Sequence, residues 1–181
     1  GQYYCFAKDS GAPGAWLPGT PGINGRNTDG TTVADRGCIS AGTPTSGVNY
    51  IRDIVTTASQ AGTFILADVL WVNTGLVVTT TTAQAITQPT LPLRDNLGTS
   101  NGFGIGAGIL VTTATTNAAA IANITLSYTN SEGVAGKTAT ISSFPATAVI
   151  GTFVPFQLAQ GDLGISSIQS ITLGTTLTAG A

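Results

Sequence analysis

Residues 124–141, ITLSYTNSEGVAGKTATI, leave the backbone little choice. Ile124, Leu126 and Tyr128 alternate with Thr125 and Ser127, the period of a strand with one buried face. Asn130 to Gly136 supply turn residues, and Ala139 and Ile141 answer the alternation on the far side. The stretch predicts an antiparallel hairpin.

The same chemistry recurs from Thr63 onward, where short runs rich in Val, Ile, Thr, Phe and Leu alternate with turn signals. Strands are predicted near 63–72, 75–80, 84–91, 103–113, 121–129, 136–142, 151–159 and 165–173. In the last of these, Ile165, Ile168, Ile171 and Leu173 keep one face only if a bulge falls around Ser166–Ser167. About eight short strands without helical segments predict an all-β fold, an antiparallel β-sandwich of jelly-roll type spanning 63–181. No internal period marks a solenoid.

Residues 1–62 differ in composition and are predicted to form an extended, turn-rich N-terminal arm. Pro13, Pro18, Pro21 and the Asn24-Gly25 and Asp29-Gly30 pairs forbid a continuous helix or central strand there. Residues 48–61 fit helical spacing through Ile51, Ile54, Val55 and Ala58, yet their β-branched content favours a strand.

In GFGIGAGILV, residues 102–111, glycine occupies every second position: Gly102, Gly104, Gly106 and Gly108. A dinucleotide loop needs G-x-G-x-x-G between a strand and a helix. Here the spacing differs and the following ILVTTATT is strand-forming, so a phosphate cradle is excluded. Read as a strand, the run puts Phe103, Ile105, Ala107 and Ile109 on one face and leaves the glycine face bare. Bare faces cost backbone entropy, so close approach by another part of the chain or by a neighbouring subunit is the expected compensation.

Charge narrows the function. Only 8% of residues are charged, against about 25% in ordinary soluble domains, while 42% are hydrophobic. The surface must therefore be uncharged polar, which suits a protein packed against neighbours. Six basic residues are scattered singly and the net charge is −2, so nucleic acid is not an expected partner. No apolar run reaches the ~20 residues of a membrane span. The opening GQYYCFAKDS lacks the design of a signal peptide, and Phe6 stands where N-myristoylation wants Ser or Thr.

With no histidine, Ser-His-Asp and Cys-His catalysis are excluded, and the commonest zinc ligand is missing. The acids are dispersed; Asp95 in RDN and Asp162 in AQGDLG read as turn residues. No catalytic residue, cofactor or metal is expected. The 33-residue separation of Cys5 and Cys38 leaves two alternatives, free thiols or a disulfide closing a loop worth ~3–4 kcal/mol. Gly102, Gly104, Gly106 and Gly108, with Tyr3, Tyr4 and Trp16, are the candidate contact residues.

LVVTTTTAQAITQPTLPLRD, LVTTATTNAAAIANITLSYTNSEG and FPATAVIGTFVPFQLAQGDLGISSIQSITLG, within 76–174, resemble small β-rich structural proteins of tailed bacteriophages. The likeness is to capsid cement or decoration proteins. It implies a virion protein made in the host cytoplasm and placed on the capsid surface. Its partners would be the major capsid protein and itself, as a homotrimer. A phage tail or fibre component, and a secreted carbohydrate-binding or adhesin β-sandwich, are the alternatives.

Overall fold

A computed structural model describes residues 26–27, 46, 70–73, 76–86, 88, 90, 91, 93, 95–111, 113–149 and 152–178. Its strands are β1 (Arg26–Asn27), β2 (Trp71–Val72), β3 (Gln84–Ala85), β4 (Gly108–Leu110), β5 (Ile121–Asn130), β6 (Lys137–Phe144), β7 (Phe153–Pro155) and β8 (Ile165–Thr172). All pairings are antiparallel and no helix occurs among the described residues. The main sheet has the order β3-β8-β5-β6, and β1-β2 and β4-β7 form two-stranded ladders.

The predicted hairpin is present: Ile124 pairs with Ile141 and Leu126 with Ala139, all buried. It extends further than the alternation alone implied. Asn123 takes a left-handed φ of 55°, and two exposed residues, Ala122 and Asn123, separate buried Ile121 from buried Ile124. Across the ladder, Ser142 and Ser143 separate Ile141 from Phe144 in the same way. Both strands change phase together, so Ile121 and Phe144 return to the core as partners.

β8 carries the expected irregularity twice. Its register against β5 shifts between Ser127 and Tyr128 and again between Thr129 and Asn130. Gln169 and Ser166 are the extra residues. Each converts a three-residue spacing of isoleucines into a common buried face.

Three predicted strands are shorter than expected, and a fourth is absent among the described residues. Residues 76–80 form no strand; the chain turns at Val78–Thr79. The strand over 84–91 is reduced to Gln84–Ala85, followed by a single bond from Ile86 N to Gln169 O at 2.7 Å. The strand over 151–159 is reduced to Phe153–Pro155, after which Phe156 N still donates to Ala107 O at 2.9 Å and Gln157 bridges to Thr140. The strand over 103–113 is reduced to Gly108–Leu110, because Gly102 and Gly104 have φ of 89° and 76°, which break strand geometry. Residues 63–69, the segment 48–61, and Tyr3, Tyr4, Cys5, Trp16 and Cys38 lie outside the described residues. Within the proposed arm, β1 pairs with β2, Arg26 opposite Val72 and Asn27 opposite Trp71.

The backbone links form a closed circuit. β8 joins β5 and β5 joins β6. Thr140 and Gln157 exchange bonds of 2.9 Å, and β7 pairs with β4. The run before β4 returns to β8 through Gly104 N to Leu163 O at 2.8 Å and Ile165 N to Ile105 O at 3.1 Å. Ile121, Ile124, Leu126, Tyr128, Ile141, Phe144, Phe156, Ile165, Ile168, Ile171 and Leu173 form one core, with Ile109 and Val154 packed against it. Burying each large apolar side chain contributes about 1.5–3 kcal/mol.

Candidate interaction surface

The four glycines serve separate purposes. Gly102 is buried, and a Cβ on it would lie 1.9 Å from the Ile165 carbonyl oxygen. A Cβ on Gly104 would meet the Asn96 side-chain nitrogen at 2.0 Å, and one on Gly108 the Phe153 ring at 2.3 Å. The cover over these three therefore comes from within the chain, supplied by the β8 backbone, Asn96 and Phe153. Gly106 is exposed with no atom within 4 Å of its Cβ position.

The loop leading into this run is organised by one carboxylate. Asp95 is buried and accepts hydrogen bonds from Leu97 N at 3.0 Å, Thr99 N at 2.6 Å, Thr99 Oγ1 at 2.6 Å, Gly102 N at 3.1 Å and Phe103 N at 3.3 Å. Burial pushes the Asp95 pKa up, but the donors from Thr99, Leu97 and Phe103 outweigh it and hold the group down at about 2, against an ordinary 3.8. The backbone closes the same loop through Asn96 N to Phe103 O at 3.1 Å and Gly98 N to Asp95 O at 2.9 Å.

A second carboxylate locks the β5–β6 end of the fold. Asp162 stands in the turn closed by its own N–H bonding Ala159 O at 3.1 Å. Its side chain, 5% exposed, accepts from Tyr128 Oη at 2.5 Å, Asn130 Nδ2 at 2.9 Å and Lys137 Nζ at 3.2 Å. The Tyr128 bond, then the Asn130 bond, keep its pKa below the ordinary value against the opposing effect of burial. For Tyr128, burial and then the adjacent Asp162 push the phenol pKa up. Asn130 also accepts from Glu132 N at 3.1 Å and Val134 N at 2.9 Å, which fixes the hairpin turn.

These two rigid loops carry apolar side chains into water. Leu97 is 66% exposed and Leu163 56% exposed. The Leu163 carbonyl holds Gly104 N, and Gly104 lies against the Asn96 amide, so unbroken contacts join the backbone beside Leu163 to the loop bearing Leu97. Leu93, Val149 and Phe153 are also more than half exposed. Among the described residues, no group of three or more Cys, Asp and Glu is placed to hold a metal ion, and no helix is long and apolar enough to cross a membrane.

Sequence reasoning pointed to the glycines and passed over Asp95, Tyr128, Asn130, Asp162, Leu97 and Leu163. Both aspartates carried a turn signature, and each does stand in a turn or loop. The donors to Asp95 lie within eight residues of it, whereas those to Asp162 come from Tyr128, Asn130 and Lys137, far back in the chain. Compared with protein-family models, curated proteins and solved structures, the chain matches none.

Proposed function

We propose that this chain is a non-enzymatic virion structural protein, a cement or decoration protein that binds the outside of a tailed-phage head and stabilises the shell. Self-association as a homotrimer and attachment to the major capsid protein belong to the same reading, as does a β-sandwich completed by the remaining strands. The observation that carries it is the exposure of Leu97 and Leu163 on loops held rigid by buried carboxylates, on a protein with only 8% charged residues. Rigid apolar contacts lose little entropy on association, and a charge-poor surface does not repel its copies. Gly106 adds a place where a neighbour's backbone can approach closely.

An adhesin that binds sugars by stacking calls for a platform of exposed aromatics. Among the described residues Phe153 alone is an exposed aromatic, which gives that alternative little support.

The test is direct. Sedimentation velocity is expected to show an oligomer, and the protein is expected to co-sediment with heads assembled from the major capsid protein encoded near it and to raise their disruption temperature. A solitary monomer that leaves the heads unchanged overturns the reading.

A further inference from the structure

Asn101 precedes Gly102. In such a pair the glycine nitrogen attacks the asparagine carboxamide with little hindrance, because glycine has no Cβ. In this fold that nitrogen is engaged: Gly102 N donates to Asp95 Oδ2 at 3.1 Å. Gly102 is buried against the Ile165 carbonyl, whereas Asn101 is exposed. Asn101 N donates to Thr99 Oγ1 at 3.2 Å, and that hydroxyl donates to Asp95 in turn.

We infer that Asn101 is a latent deamidation site that Asp95 holds closed. In the reaction Gly102 N gives up its proton and bonds to Asn101 Cγ, and ammonia leaves. Water then opens the cyclic imide to aspartate or isoaspartate, so one water is consumed and one ammonia released. Asp95 opposes the first step in two ways. It holds the proton that must leave, and its anion lies 3.1 Å from the nitrogen that would become negative. The carboxylate is ionised at every pH at which the reaction runs, since its pKa is about 2. Isoaspartate adds a main-chain atom directly before the Phe103–Gly164 bridge, so the product loosens the join between the glycine run and β8.

The experiment follows Asn101 in the full chain by peptide mapping at mildly alkaline pH, scoring the gain of about 1 Da and the isoaspartate isomer. Native wild type, wild type in denaturant and Asp95→Asn are compared, with the Asn24–Gly25 pair as reference in denaturant. Asn101 is expected to convert as fast as Asn24 in denaturant and roughly tenfold or more slowly in the native protein, equivalent to about 1.4 kcal/mol of local opening. Folded Asp95→Asn is expected to lose most of that protection. If Asp95→Asn does not fold, hydrogen exchange of the wild-type Gly102 amide decides: slow exchange supports the assignment and unprotected exchange overturns it. Equal native and denatured rates at Asn101, or full protection in folded Asp95→Asn, also overturn it.

Discussion

The Tyr128 hydroxyl donates to Asp162 Oδ2 at 2.5 Å and accepts from Ala159 N at 3.0 Å, so one buried phenol ties the C-terminal end of β5 to the turn before β8. Removing only the hydroxyl leaves the Ala159 N–H without its acceptor and Asp162 short of a donor. Tyr128→Phe is therefore expected to lose about 1–3 kcal/mol of folding stability, and Asp162→Ala at least as much, because it strips partners from Tyr128, Asn130 and Lys137 together. Urea unfolding measures both. A Tyr128→Phe midpoint equal to wild type contradicts the role given to this bond.

Acid should weaken the fold through its two locked carboxylates. Asp95 titrates at about 2 when folded and near 3.8 when unfolded, so the unfolded chain takes up protons first. Its contribution is complete above pH 3.8 and is lost as pH falls through that value towards about 2. The folded pKa of Asp162 is lowered too, which gives its contribution the same sign. Unfolding free energy measured from neutral pH down to pH 2 is expected to decline over this window, and Asp95→Asn is expected to flatten the decline.

Substitution of the glycines separates fold from contact. Gly102→Ala drives a Cβ to 1.9 Å from backbone oxygen at a φ of 89°, and is expected to cost more than about 3 kcal/mol or prevent folding. Gly108→Ala meets the ring of half-exposed Phe153, which can swing aside, and the Val154 carbonyl oxygen at 2.9 Å, but without a left-handed φ, so a smaller loss than for Gly102→Ala is expected. Gly106→Val enters open space, and its thermal unfolding as a monomer is expected to stay within about 0.5 kcal/mol of wild type. Its effect is expected in self-association or shell binding, read by sedimentation.

Leu97→Ser and Leu163→Ser remove apolar atoms that already face water, so folding is expected to change by no more than about 0.5 kcal/mol. Under the proposed function the double variant assembles and binds heads more weakly than wild type. Unchanged sedimentation and head binding would place the contact elsewhere.

The long strands were legible because their cores obey a local rule. Ile124, Leu126 and Tyr128 repeat every second residue, and no other element satisfies that spacing. The bulges of β8 were half legible: the spacing of Ile165 and Ile168 exposed the one at Ser166, while the second, at Gln169, emerged only from pairing with β5. The glycine run misled because alternation was read as strand, whereas Gly102 and Gly104 are needed for left-handed turns under Ile165 and Asn96. Periodicity in glycine carries no side chain to assign to a face. The turn positions of Asp95 and Asp162 were legible, but the donor set of Asp162 was not, for another reason. Asp162 gathers donors from Tyr128, Asn130 and Lys137, across separations that no local pattern encodes.

The circuit of backbone bonds gives each of the three long strands partners on both sides: β5 between β6 and β8, β6 closed at Thr140 by Gln157, and β8 flanked opposite β5 by β3 and the Phe103–Ile105 run. Sticky, nearly uncharged molecules at high local density are ordinarily prone to runaway fibre growth by strand addition. Here β5 and β8 are flanked on both sides, and the outer edge of β6 is interrupted at Thr140 by Gln157, which shortens the open strand left to template another. Crowded copies would have to recognise one another by shape, which permits a finite, ordered array in place of an endless one.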